Sequence, residues 1–371
     1  MDIKKFLKDK RNWLLISWPL AFGLYFLAKN FESFAENVCA RGIFRVYGWI
    51  MSHISGIIPF SLAEILLIAV MIFIPLMIIL SIVRIIRRPE KGLRALRSIR
   101  DIIMLLGVVF CWYMIGCGTN YYRNEFADFS GLTIEKSTKE ELYELCLELG
   151  EKTNEARARL EIPEGETFKS GLSNSERAAA AAEAMDRLAE SYEVLEGYYP
   201  KPKSVLFSRV MSEFNITGVY FPWTVEANVN VDVPDYSRGS TLCHELVHLR
   251  GFMREDEANY VGYLACINSE NDELRYSGYM SALINASNRL YDEDKELHAL
   301  YWAQTYNEGV RLDMVEANEY WDQFKDTVLS EAGEKINNSY LKANSISDGT
   351  KSYGRMVDLL LAEYRKKHQV S

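Results

Sequence analysis

Histidine is scarce in this chain of 371 residues: there are five, His53, His244, His248, His298 and His368. Any site built mainly of imidazoles is therefore confined to very few positions. Cysteine is little better represented, with six residues, Cys39, Cys111, Cys117, Cys146, Cys243 and Cys266. None of them forms a CxxC pair, and their spacing suits neither a disulfide framework nor a cysteine-rich zinc ribbon. Positive charge is outnumbered in the larger part of the molecule. Residues 124–371 hold 26 Lys and Arg against 44 Asp and Glu, whereas residues 1–123 hold 16 against 7. That acidic bulk lacks the positive footprint a nucleic-acid partner needs, so no nucleic acid is expected. Internal repeats and low-complexity tracts are absent too.

Against this background two of the five histidines fall in one short motif, His244-Glu245-Leu246-Val247-His248. On a helix, residues four apart share a face, so both imidazoles can be aimed at one metal ion. Glu245 stands beside the first ligand and can accept a proton from a water at the metal. Gly251 is suited to turn the chain directly after the second histidine. Catalytic zinc usually takes three protein ligands. Glu255 is the expected third, with Asn259 one turn further on as an amide bracing a ligand. Glu257 competes for the same role, but its face carries Val261 and Leu264 and reads as packing. Cys243 adjoins His244, points to another face and is expected in the core.

HELVH at 244–248 followed by Glu255 and Asn259 resembles zinc metallopeptidases of the gluzincin kind, in which a Glu on the next helix completes the site. The pattern HExxHxxGxxH of the metzincins fails at Arg254, since a guanidinium stays protonated and cannot ligate zinc. More of the chain, namely NYYR at 120–123, ITGVYFPWTVEANVN at 216–230, NSYLKAN at 338–344 and SYGRMV at 352–357, resembles a bacterial membrane-protein family known as domain of unknown function 3810. The two resemblances together imply a mainly α protein, with N-terminal transmembrane helices followed by an α-rich zincin-like domain. A small β-hairpin or sheet precedes the HExxH helix.

The hydropathy pattern divides the chain at residue 123. Residues 1–123 read as a membrane domain with three spans, at about residues 12–28, 57–83 and 102–119. Residues 31–55, interrupted by Arg41, Arg45 and His53, suit a helix lying in the interface. The first span follows a basic start; lacking a small-x-small cleavage site, it is expected to be retained rather than removed. Glu64, near the edge of the second span, is an intramembrane carboxylate and so a functional candidate, but it can reach water. Arg84, Arg87, Arg88, Lys91, Arg94, Arg97 and Arg100 crowd the loop between the second and third spans. The positive-inside rule then puts the N-terminus in the cytoplasm and residues 124–371 outside a bacterial cytoplasmic membrane.

In the soluble part, Thr138 with Glu141 and Ser173 with Glu176 have capping-box spacing and open helices. Residues 151–172 read as a loop. Ile216–Pro222 and Val225–Val233 are β-rich, and in the resembled peptidases a strand here can pair with an extended peptide. Glu226 and Asn228 are candidates to flank such a cleft. The last helix is expected from Gly354 to Arg365. A donor for the oxyanion is sought in the polar segment 337–355, where the helical pattern lapses and Tyr340, Tyr353 and Arg355 stand. The expected activity is zinc-dependent hydrolysis of a peptide or protein substrate at the outer face of the bilayer. Two rivals are a zinc hydrolase of non-peptide envelope material and a non-catalytic membrane module with structural zinc.

Overall fold

Two helices longer than the rest set the frame. The computed structural model describes residues 8–87, 91–347 and 349–369, without the side chains of 351–353 and 369. A 3-10 segment, Lys10–Ile16, leads into helix α1 (Ser17–Asn30); a π-helical stretch, Phe34–Phe44, continues as α2 (Arg45–Gly56). The long helices α3 (Leu62–Arg87) and α4 (Lys91–Gly116) follow, with 26 residues each. At 1.5 Å per residue each measures about 39 Å, more than the roughly 30 Å of a bilayer's hydrocarbon. They are the two described helices long and apolar enough to cross a membrane, and no residue in the most apolar window of α3 is buried.

The expectation of three spans is corrected here. Around residues 12–28 the regular α-helix is only 14 residues long, about 21 Å, because the chain begins as a 3-10 turn and breaks at Phe31. It lies against α4 instead, where the Trp18 indole donates to the Ile103 carbonyl at 2.9 Å. Arg100 on α4 ties the preceding segment through Asp9 at 2.9 Å. The segment expected at the interface is helical from Glu32 on, and Phe34–Phe44 winds as a π-helix.

The C-terminal part is helical around a small sheet. Helices α5 (Lys139–Ala158) and α6 (Asn174–Ala189) each start in a full capping box, from Thr138 with Glu141 and Ser173 with Glu176. Each box satisfies two otherwise orphaned N–H groups. α5 runs on to Ala158, into the expected 151–172 loop. Strands β1 (Lys203–Ser204), β2 (Gly218–Phe221) and β3 (Glu226–Val229) form a sheet in the order β1-β3-β2. β1 is parallel to β3, and β2 is antiparallel to it, with Gly218 opposite Val229 and Phe221 opposite Glu226. β2 therefore has a free edge. Next come α7 (Asp235–His248), α8 (Glu255–Ile267) and α9 (Asp272–Glu293), then two further helices, Lys295–Thr305 and Glu308–Asp322. α10 (Val328–Ala343), a 3-10 turn and α11 (Met356–Gln369) complete the chain.

One apolar core joins Phe44, Cys117 and Tyr121 to Leu142, Leu246 and Val261, so packing crosses residue 123 without a break. Polar bonds fasten the sheet to the long helices. Glu226, 1 % exposed, accepts the Leu62 and Ala63 N–H groups at 3.2 and 2.9 Å, capping α3. Thr224 donates to it at 2.6 Å and the Lys203 ammonium pairs with it. Ser61 donates to Asn228 at 2.6 Å, and the Tyr220 hydroxyl to the Gly116 carbonyl at 2.9 Å. Glu226 and Asn228 are thus anchors between sheet and helix rather than cleft residues. Glu64 also serves the junction, accepting the N–H groups of Leu206 and Phe207 at 3.0 and 2.8 Å.

Candidate metal centre

α7 and α8 bring the donors together. α7 ends directly after His248, and Gly251, at φ +83°, turns the chain into α8. The left-handed region is open to Gly without steric cost. His244 and His248 then share a face, one turn apart, while Glu255 is the first residue of α8. The ligand atoms of these three residues lie within 4.8 Å of one another.

The spacing is tighter than that bound suggests. The two Nε2 atoms are 3.2 Å apart, and His244 Nε2 is 3.1 Å from Glu255 Oε2. Two ligands bound at 2.0–2.1 Å to a tetrahedral ion stand about 3.3 Å apart, so both of these distances suit zinc. The other ring nitrogens are held from behind. His244 Nδ1 lies 2.8 Å from Asn259 Oδ1, and His248 Nδ1 lies 2.7 Å from the Phe252 carbonyl. Each bond places the proton on Nδ1 and leaves Nε2 free to bind.

Glu245 is 4 % exposed, and its Oε2 is buried with no hydrogen-bond partner. A buried carboxylate oxygen left unpaired costs several kcal/mol-scale solvation, on the order of 1–3 kcal/mol or more. A water held at the metal would satisfy it. Burial pushes the Glu245 carboxyl up to about 8, with His244 acting in the opposite direction. For His244 burial disfavours the charge, but the hydrogen bond and charge of Glu255 prevail and lift it to about 9. Burial and the neighbouring His244 drive His248 down to about 4. Glu255 thus draws positive charge into a buried site, and a dication would supply it.

The other named residues fall as follows. Glu257 is outside the cluster: it accepts the Phe126 N–H at 2.6 Å and faces Arg254 at 3.7 Å. Cys243 is fully buried. Tyr340 stands on α10, where the helical pattern was expected to lapse. Its hydroxyl sits 3.4 Å from Cys117 Sγ and 3.3 Å from the Tyr113 hydroxyl, and Cys117 in turn feels the charge of Glu255. Arg355 pairs with Asp256 at 3.0 Å instead of joining the cluster. The side chain of Tyr353 lies outside the described residues.

Sequence reasoning missed three contributors. Gly218 on β2 lies so close to Glu245 that any β-carbon there would collide with the carboxylate; a glycine inside a strand pattern was the available signal. Tyr220 is buried with its ring 5.9 Å from that of His248. The Phe252 carbonyl is main chain and carries no sequence signal at all.

Comparison with known proteins adds one finding. The family model described as "Protein of unknown function (DUF3810)" matches residues 40–361. No curated protein and no solved structure matches the chain.

Proposed function

The chain belongs to this DUF3810 family, and from that premise we propose that it is an integral-membrane zinc metallopeptidase, cleaving peptide or protein at the extracytoplasmic face of a bacterial membrane. The observation that carries the reading is the convergence of His244 Nε2, His248 Nε2 and Glu255 beside the unpartnered carboxylate of Glu245. Three donors favour a catalytic over a structural ion, which is usually closed by four. Zinc bound there would supply a Lewis acid for the scissile carbonyl and would acidify water. Glu245 takes the proton of the attacking water and returns it to the leaving amine. Asn259 and the Phe252 carbonyl hold the two imidazoles in the binding tautomer.

The free edge of β2 passes Glu245 at Gly218 and supports an extended peptide as substrate, since strand addition is a general way of binding one. The same strand is bonded at Tyr220 to the end of α4, which supports a site close to the membrane. Arg84, Arg87, Lys91, Arg94 and Arg97 gather at the opposite end of the α3–α4 pair. With positive charge inside, the site faces outward. The test is Glu245→Gln: one zinc per chain by elemental analysis, with hydrolysis of a peptide library abolished. Full activity in that variant would remove Glu245 as the base and overturn the reading.

A further inference from the structure

A cavity of about 240 Å³ lies away from the metal centre, between the helical segment 34–56 and the C-terminal end of α7. Four guanidinium groups line it, those of Arg41, Arg45, Arg123 and Arg250, with Phe129 and Tyr192. Their neutralisation is incomplete. Arg41 and Arg123 share one carboxylate, Glu36, at 2.9 and 3.0 Å. Arg45 reaches Glu196 only at 3.7 Å. Arg250 forms no ion pair among the described residues: its terminal nitrogens donate to the Glu196 and Tyr198 carbonyls at 3.4 and 3.1 Å, and its Nε has no acceptor. Glu193 and Glu196 line the space with them, and Glu36 stands behind Arg41 and Arg123.

The surroundings narrow the choice of anion. α2 presents Arg45 and Gly48 to the cavity and turns Val46, Trp49, Ile50 and Ile54 outward, exposed by 62, 57, 44 and 52 %. Those four positions recur at helical spacing, form one apolar stripe and lead through residues 57–61 to the exposed apolar surface of α3. A stripe of this kind on a helix beside a spanning segment lies at the level of lipid headgroups. Guanidinium groups are suited to phosphate by their planar, forked donors.

We infer that this arginine-lined cavity binds a phosphate-bearing anion, and that its position behind α2, whose other face carries the exposed apolar stripe, favours the headgroup of an anionic phospholipid over free phosphate. The inference rests on the membrane placement proposed above and not on the hydrolytic chemistry. Occupancy would tie the interfacial helix to the end of the metal-binding helix, since Arg123 also donates to the Arg250 carbonyl at 2.7 Å.

The test uses the full chain in phosphatidylcholine nanodiscs. Phosphatidylglycerol is titrated in, or inorganic phosphate is added, while bound lipid is counted by native mass spectrometry and Tm is followed. Saturable binding of phosphatidylglycerol, with a rise in Tm that phosphatidylcholine does not give, is the expected result. Arg45→Gln, on a half-exposed side chain, should weaken binding about tenfold, the loss of one charge-assisted bond. Glu196→Gln should tighten it, which separates charge effects from misfolding. If inorganic phosphate raises Tm as much as the lipid, the anion site stands and its source is soluble. Absence of binding by both, or equal binding to wild type and both variants, overturns the inference. Zinc content is measured in the same samples, and its presence or absence bears on the metal centre alone.

Discussion

Two buried carboxylates in this molecule contrast sharply in their company. Glu226, at the junction of sheet and long helices, has both oxygens engaged: two N–H groups, a hydroxyl and an ammonium surround it. Glu245, buried nearly as deeply, has one oxygen with no partner. Around Glu226 every donor belongs to the protein, so the cluster is finished on folding. Around Glu245, the ligand atoms of His244, His248 and Glu255 converge instead. A satisfied buried network fastens elements together. An unsatisfied one persists where something else is meant to complete it, and the difference separates an anchor from a site.

That contrast can be broken most directly by metal analysis. His248→Ala or Glu255→Ala should take zinc from one per chain to nearly none, while a folded Glu226→Ala keeps it; zinc unchanged in Glu255→Ala would move the third ligand elsewhere. Stability gives the converse. Glu226→Ala strands the buried Lys203 ammonium and should cost about 3–5 kcal/mol, read as a lower Tm in detergent. A Tm within a degree of wild type would show that the junction is not held by this carboxylate. The bond behind the ligand sharpens the picture further. Asn259→Ala frees the His244 ring and should weaken zinc about 10–100-fold by competition with a chelator; an unaltered affinity would reduce Asn259 to packing.

The smallest effect lies on the surface, remote from both clusters. The hydrogen bond from Arg365, joined by the Thr138 N–H, holds the Glu141 carboxyl at about 2. A carboxylate lowered in this way stabilises the fold above its unfolded pKa, near 4.5, and the contribution is lost as pH falls from there through about 2. Tm should therefore decline slightly over that interval, and less so in Arg365→Gln. Identical pH profiles for the two proteins would assign the acid sensitivity to other groups.

Much of the candidate centre was legible because its spacing is local. His244 and His248 sit one turn apart, and Glu255 with Asn259 opens the next helix, so a helical wheel suffices to place them on shared faces. The capping boxes at Thr138 and Ser173 are equally local. Hydropathy served less well at residues 12–28, because it counts apolar residues and does not register the 3-10 start and the break that limit α1 to 14 residues. Tyr340 was misplaced for a related reason: a polar stretch hid a helix whose other side packs on the domain.

The sequence by itself determined the HExxH motif, the third-ligand candidate, the two long apolar helices and the mainly helical class, since each follows from contacts or periodicity within a few residues. Only the tertiary structure decided that Glu226 anchors α3, that Gly218 and Tyr220 approach Glu245 and His248, and that four arginines from separate segments close on one cavity. Those outcomes depend on which side chains meet across a hundred residues or more, and packing, not local pattern, settles that.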